Sequence, residues 1–285
     1  MDITALPPLF LSHGSPMTAL EPREAGAFMQ RLGPAIDAAF GRPRAILVLS
    51  AHTLARRPVL LAGARHHAVY DFGGFDPRLN TLRYDAPGAP ALAARVQALL
   101  AEAGIDADRV DQGGLDHGIW TPLRYAYPDA DVPVLPLAFD PRATPSALFA
   151  LGAALAPLAD EGVLLLGSGS LTHNLRMVFG GVPPAIDADE IAASREFREW
   201  VRRSGASRDW DALLDYRARA PHAALMHPTD EHWLPWYPPA GAGGRDAAPV
   251  RLHASLTFGC LAMDAYGYGQ SAAWLAVALE GPAAA

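Results

Sequence analysis

Three histidines follow apolar runs of the sequence, each close to the point where its run ends. His13 comes after "LFLS", His52 after "AILVLS", and His173 lies in "GSGSLTHNL" after a third run. The carboxyl ends of parallel strands form one rim of a sheet, where α/β proteins hold their ligands, so these side chains are expected to converge. Several neutral imidazoles in one place suit a divalent transition metal such as zinc, iron, copper or nickel. The pattern therefore predicts a metal site at this rim.

Two more histidines stand in notable contexts, His117 in "LDHGIW" and His232 in "HPTDEHW". Taken singly, each of the five is explained at least as well by a hydrogen bond that caps a turn. Taken together, they favour a catalytic metal site, which uses three protein ligands and keeps a position open. His227 and His232 are five residues apart, which is poor spacing for one helix face, so only one of them is expected to reach the metal.

The segment "GSGSL", residues 167–171, resembles a serine-hydrolase motif but does not fit it. Gly169 occupies the position that the nucleophile takes in G-x-S-x-G. The glycines are instead expected to allow a sharp turn that presents His173. Asp116, next to His117, has two open interpretations: it is a carboxylate that supports the metal site from behind the ligands, or it only caps the turn at Gly118.

Composition excludes several classes of partner. The chain has 285 residues with a formal net charge of −7, and 51% of them are hydrophobic. It contains no block of basic residues, so a nucleic-acid partner is not expected. Its one cysteine, Cys260, fits a reducing compartment. The N-terminus does not resemble a signal peptide and the apolar runs are too short to span a membrane, so we expect a cytoplasmic protein.

Short apolar runs bounded by turn residues predict strands that are buried on both faces. The predicted strands cover residues 8–11, 45–50, 132–138, 162–167 and 252–258. Two prolines in the run 132–138 predict either an edge position or a shortened strand.

Amphipathic patterns between these runs predict helices. One helix begins at Pro22, and others cover residues 92–103, 148–155 and 191–201. Thr144 followed by Pro145 is typical of a helix start, and Asp187 with Glu190 has the spacing of a capping box. Residues 237–249 are rich in Gly and Pro and predict an exposed loop. The alternation of strands and helices predicts an α/β fold with a mostly parallel sheet.

Eight segments resemble the extradiol ring-opening dioxygenases of the LigB type, in the branch that includes DOPA dioxygenases. In order they read "LFLSHGSPM", "RPRAILVLSAHT", "YDFGGFDPRL", "LRYDAPGAPALA", "GLDHGIWTPLRYAYPDADVPV", "DEGVLLLGSGSLTHNLR", "RARAPHAALMHPTDEHWLP" and "CLAMDAYGYG". The resemblance implies one catalytic domain over residues 1–285, a three-layer α/β sandwich around a mixed, mainly parallel sheet. It also implies that the chain can assemble as a homo-oligomer.

The resemblance carries over residue by residue to the histidines. It implies that His13, His52 and His232 bind the metal. It implies catalytic roles for His173 and His117, with His173 as the acid or base and His117 in contact with the substrate. His173 matches a position that becomes a further ligand when zinc is bound.

Several positions depart from the family pattern. Thr53 stands where many relatives have Trp, and Cys260 and Ala262 stand where Ser is frequent. If these side chains line the pocket, the substrate differs from DOPA. The better-known branch of the superfamily uses two His and a Glu, so Glu231 beside His232 stays open as an alternative third ligand.

The function implied is a non-haem metal-dependent dioxygenase that opens the ring of a DOPA-like catechol with both atoms of O2. Fe(II) is expected for activity, and Zn(II) is possible as the bound metal. A zinc-dependent hydrolase with a metal-bound hydroxide is one alternative. A non-catalytic metal-binding protein is the other.

Overall fold

The chain folds around one large sheet in a computed structural model that describes residues 5–281. Residues 1–4 and 282–285, which the predicted domain includes, lie outside the described residues. Within the described part the strands are β1 Leu9–Ser12, β2 Ala45–Ser50, β3 Val59–Leu61, β4 Arg65–His66, β5 Ala86–Pro87, β6 Asp108–Val110, β7 Val134–Ala138, β8 Val163–Gly169, β9 Val250–His253, β10 Leu256–Thr257, β11 Leu261–Ala262 and β12 Ala265–Gly267.

Eight of these strands form the main sheet, in the order β6-β3-β7-β2-β8-β1-β12-β9. Its centre, β7-β2-β8-β1, is parallel, and β12 and β9 continue it in antiparallel pairing beyond β1. On the other side β3 runs antiparallel to β7 and parallel to β6. The mixed, mainly parallel α/β sheet that we expected is therefore confirmed.

Both faces of the central strands are buried, because their apolar residues run without polar interruption. In β2, Leu47 and Leu49 pack into one core, while Ile46 and Val48 pack into a second core on the opposite face. Within the described part of the chain the helices are α1 Arg23–Phe40, α2 Pro90–Glu102, α3 His117–Ala126, α4 Pro145–Ala154, α5 Leu175–Phe179, α6 Ala192–Ala206, α7 Trp210–Leu214, α8 Tyr216–Arg219, α9 Ala223–Met226, α10 Tyr237–Gly243 and α11 Ala272–Leu279.

Helices cover the sheet on both sides and complete a three-layer sandwich. α1, α3 and α11 cover one face, and α2, α4 and α10 cover the other. The predicted start of α4 is confirmed, since Thr144 Oγ1 accepts a hydrogen bond from the Ala147 amide at 3.1 Å with Pro145 in the first turn. None of the described helices combines the length and apolarity that a membrane crossing requires.

The capping box predicted at Asp187 and Glu190 is wrong, because α6 has Ile191 at its N-cap and no side-chain cap. The Glu190 carboxylate instead accepts hydrogen bonds from Ser194 Oγ at 2.9 Å and Arg198 Nη1 at 2.8 Å. A charge-assisted bond to a largely buried guanidinium is stronger than a bond to a backbone amide, so the carboxylate turns toward Arg198.

The exposed loop predicted over residues 237–249 is wrong in its first half, which forms the buried helix α10. This helix packs closely against α4. A Cβ on Gly241 would lie 1.9 Å from the Phe149 carbonyl oxygen, and a Cβ on Gly152 would lie 1.8 Å from that of Pro238. The Gly-rich composition that resembles a loop therefore serves a close contact between two helices.

The predicted strand 45–50 has the observed bounds, and 8–11 and 162–167 differ by one or two residues, whereas the other two predictions differ more. The run 252–258 contains the end of β9 and all of β10, which belong to different sheets. β7 begins after Pro133, the shortened form that we expected as one alternative, but it does not lie at an edge. Its Pro136 pairs with Val48 of β2, and its last residues pair with β3.

The three parallel strands at the middle of the sheet place their following loops at one rim. β8 lies between β2 and β1 and is parallel to both. The segments that follow these strands carry His52, His173 and His13. The sheet therefore brings together histidines that are far apart in the sequence.

Candidate metal centre

Three histidine nitrogens meet at the rim of the sheet. His52 Nε2 lies 3.2 Å from His13 Nε2 and 3.3 Å from His232 Nε2. Tetrahedral ligands at the usual metal–nitrogen distance of about 2.0–2.1 Å are about 3.3 Å apart. The donor set and its spacing therefore fit a transition-metal ion.

Each of the three rings is oriented by an oxygen atom behind it. His13 Nδ1 lies 3.0 Å from Ser168 Oγ, and His232 Nδ1 lies 3.1 Å from Glu231 Oε1. His52 Nδ1 faces Asp71 Oδ2 at 3.5 Å. An Nδ1–H that donates to such an acceptor leaves the Nε2 lone pair free for a metal.

The Ser168 hydroxyl shows why His13 takes this tautomer. It donates its hydrogen to the carbonyl oxygen of Gly118 in α3, so toward His13 it acts as an acceptor. The Gly118 carbonyl has no helical partner because residue 122, four positions on, is a proline without an N–H. Pro122 thus leaves open the acceptor that fixes the proton of the His13 ring on Nδ1.

Burial keeps the three imidazoles uncharged. Desolvation, helped by the neighbouring imidazoles, holds the pKa values of His13 and His232 well below the usual range. Desolvation also lowers the pKa of His52 to about 4. Neutral imidazole is the form that binds a metal, so the cluster has the protonation state that ligation needs.

The backbone around β8 holds the cluster together. The His13 amide donates to the Gly169 carbonyl at 3.0 Å, and the Ser170 amide donates to the His232 carbonyl at 2.8 Å. A Cβ on Gly169 would lie 2.1 Å from that His232 oxygen. We expected the glycines of "GSGSL" to allow a sharp turn, but Gly167 and Gly169 lie inside β8 without positive φ. They allow a close approach of the chain that carries His232.

The structure decides against the cap and places the Asp116 carboxylate behind the loop that carries His52. Asp116 makes no side-chain cap on α3. Its carboxylate instead accepts hydrogen bonds from Ser50 Oγ at 2.7 Å and from Thr53 Oγ1. Both hydroxyls flank His52, so Asp116 fixes the loop after β2 to the start of α3.

His117 is held by a carboxylate that the sequence did not reveal. Its Nδ1 lies 3.0 Å from each carboxylate oxygen of Asp71, and its backbone amide donates to Asp71 Oδ1 at 3.0 Å. Burial raises the pKa of Asp71, but the hydrogen bonds from His117 outweigh it, so the pKa lies below the usual value. Asp71 therefore stays ionised and faces both His117 and His52. Its only sequence signal is its place in the motif "YDFGGF".

His173 lies beside the three-nitrogen cluster rather than within it. Its ring stacks on His232 with centroids 3.4 Å apart and an interplanar angle of 9°. Desolvation lowers the pKa of His173 to about 4, so the ring is neutral near pH 7. It forms a second possible ligand group with Glu231 and His232.

Two further residues of "HPTDEH", Glu231 and His227, lie next to the three-nitrogen cluster but outside it. Glu231 accepts from the rear nitrogen of His232 and from Thr229 Oγ1 at 3.0 Å. His227 is fully buried, and its Nε2 donates to the Leu171 carbonyl at 2.8 Å. The structure therefore brings His232 into the cluster, but not His227.

A cavity of about 710 Å³ opens over the cluster. Its described lining includes the five histidines His13, His52, His117, His173 and His232. The departures from the family pattern at positions 53, 260 and 262 are not among the described residues that line it.

Comparisons with known proteins agree with this geometry. The family model described as the catalytic LigB subunit of aromatic ring-opening dioxygenase matches residues 7–270. A Beta vulgaris protein named 4,5-DOPA dioxygenase extradiol is 36% identical over 261 residues, covering 91% of this chain and 95% of that protein. An Escherichia coli K12 protein of the same name is 37% identical over 241 residues, covering 82% of this chain and 84% of its own.

A solved structure has the same fold. The crystal structure of an uncharacterized Escherichia coli K12 protein matches with a TM-score of 0.74 and 30% identity. The match covers 93% of this chain and all of the other.

Asp71→Asn tests the carboxylate that faces two histidines. We expect affinity for a divalent transition metal to fall about tenfold to a hundredfold, because outer partners of ligating histidines contribute that much. Competition with a chromophoric chelator measures it. The matched control is Asp85→Asn, which alters an exposed pair with His67 at 2.8 Å. Equal affinity in the two variants would contradict the role given to Asp71.

Proposed function

Since this chain belongs to the LigB family of aromatic ring-opening dioxygenases, we propose that it is a non-haem Fe(II) extradiol dioxygenase acting on a catechol. The observation that carries the proposal is the set of three neutral Nε2 donors at the floor of a large cavity. The substrates would be a small aromatic diol and O2. DOPA, named for the relatives, is the first compound to test.

In this proposal His13, His52 and His232 hold the metal. Fe(II) bound there would supply a Lewis-acidic, redox-active centre for the diol and O2 together. Zn(II) suits the same three nitrogens but has no redox chemistry, so a zinc-loaded chain would be inactive. The oxygen acceptors behind the rings keep the three donors in place while substrate and product exchange.

His173 would take a proton from the catechol. Its neutral ring lines the cavity, and its stacking on His232 keeps it beside the metal-binding nitrogens. His117 would contact the substrate through Nε2, because Asp71 occupies its Nδ1. The two histidines would thus supply proton transfer and orientation of the substrate.

The reducing cytoplasm is the compartment we propose. Cys260 is buried and free, and Fe(II) is kept reduced there.

Oxygen consumption distinguishes this function from the zinc-hydrolase alternative. We expect the chain, reconstituted with Fe(II) without oxygen, to consume O2 in equimolar amount with a catechol and to form a yellow ring-opened product. An oxygen electrode and absorption spectra measure both. A product formed without O2 uptake would support a hydrolase. Metal binding without turnover across a panel of catechols would support a non-catalytic protein.

His232→Ala tests the third ligand. Removal of one of three donors should reduce bound iron from about one ion per chain to a small fraction of that, because two imidazoles form a weak site. Metal analysis after gel filtration gives the stoichiometry. His67→Ala, at an exposed histidine, is the control and should bind iron fully. Unchanged iron in His232→Ala would reject this ligand.

His173→Phe tests the proton acceptor. Phenylalanine can keep the stacking on His232 but takes no proton. We expect iron content to stay near wild type while kcat falls about a hundredfold to ten-thousandfold, the usual contribution of general base catalysis. Full turnover in this variant would dismiss the role, whereas loss of iron would make His173 a ligand instead.

A further inference from the structure

The described lining of the cavity carries more carboxylates than cationic side chains. Apart from histidines, Arg23 is the one cationic side chain among the described residues that line it. Arg23 is exposed and lies 3.8 Å from the Glu21 carboxylate. Three further carboxylates, those of Glu24, Asp187 and Asp189, line the cavity without a salt bridge among the described contacts. A carboxylate on a substrate would therefore find no free cation on these walls.

The described lining carries five carboxylates against this one guanidinium, those of Glu21, Glu24, Asp187, Asp189 and Glu190. The walls therefore repel an anion. A substrate carboxylate would lose hydration on entry and gain no ion pair in return.

The walls also present two pairs of aromatic rings. Phe72 and Phe75 have centroids 5.9 Å apart, and Phe72 is 5.7 Å from the His117 ring. Phe179 and Phe258, 6.5 Å apart, belong to other elements of the lining. Both pairs line the same cavity as the histidines. A substituent that extends from the ring of a bound catechol would meet aromatic faces.

Part of this apolar lining is open to solvent. Phe179 is 59% exposed, Leu175 44% and Phe75 36%. When a ligand covers large exposed apolar side chains beside a functional cavity, apolar surface leaves water and the free energy of the complex is lowered. A volume near 710 Å³ is typical of pockets for drug-sized ligands, and a single catechol ring fills only part of it.

We propose that the preferred substrate is a catechol whose substituent is uncharged and apolar, such as an alkyl chain or a second aryl ring, and that a carboxylate on this substituent is disfavoured. The inference rests on the proposed function, because it requires the diol to be held at the three histidines. The exposed aromatic rings would cover the substituent, and the carboxylates that line the cavity would repel anionic competitors.

Steady-state kinetics with matched catechols test this selectivity. The iron-loaded chain is given benzylcatechol, dihydroxyphenylpropionate, DOPA and unsubstituted catechol. We expect kcat/KM for benzylcatechol to exceed that for dihydroxyphenylpropionate at least about tenfold, since a few buried carbons give discrimination of this size. Equal or better turnover of dihydroxyphenylpropionate would overturn the inference while leaving ring opening intact. Failure to open any of the four would instead overturn the proposed function.

Two variants assign the selectivity to the walls. Phe179→Ala should lower kcat/KM for benzylcatechol about fivefold or more, because it removes an exposed ring face that the second aryl ring would cover. Trp274→Ala is the control, since Trp274 is 56% exposed on α11 and is not a lining residue. Leu175→Arg should raise kcat/KM for dihydroxyphenylpropionate by supplying the missing cation. If Phe179→Ala matches Trp274→Ala and Leu175→Arg brings no gain, the walls do not select the substituent.

Discussion

The site depends on one constraint, that the Nε2 atoms of three imidazoles converge, with His52 Nε2 at 3.2 Å from that of His13 and 3.3 Å from that of His232. Such an arrangement is unfavourable without a cation between them, because the lone pairs repel and no proton can satisfy all three. It persists because each ring is held from behind. Ser168 holds His13, and carboxylates stand behind the other two rings. The packed sheet beneath fixes the backbone segments that carry His13 and His52.

β8 connects this constraint to the fold. It lies between the strands that carry two of the histidines, and its own end bonds the chain that carries His232. That contact requires the absence of a Cβ at Gly169, and Ser168 places its hydroxyl behind His13, so the sequence "GSGS" combines clearance with a hydrogen-bond acceptor. Pro122 contributes from the other side of the rim by leaving a helix carbonyl unpaired. A change in any of these small residues would move a ligand rather than a core side chain.

The sequence predicts the parts of this arrangement that local patterns encode. Continuous apolar runs indicate buried parallel strands, and the residues after them share a rim, which places His13 and His52 together. His232 came from family resemblance, because a distant loop has no periodicity that points to a strand end. Asp71 could not be predicted, since its bond to His117 spans 46 positions and its motif suggests only a turn. α10 was missed because glycines that permit helix contact look, in composition, like glycines of a loop.

The distribution of charge separates the inner and outer parts of the cavity. Around the three nitrogens burial removes positive charge from the histidines, so the charge of a bound metal is not opposed by protonated rings. Asp71 adds one negative charge where it touches both a cluster histidine and His117, which favours a cation at the cluster. Elsewhere on the described lining, the carboxylates outnumber the one arginine, Arg23, and aromatic rings contribute apolar surface. An anionic diolate is thus attracted only at the metal, whereas an anionic substituent is repelled along the walls. The same molecule can therefore bind a catecholate tightly and still discriminate against a carboxylate attached to it.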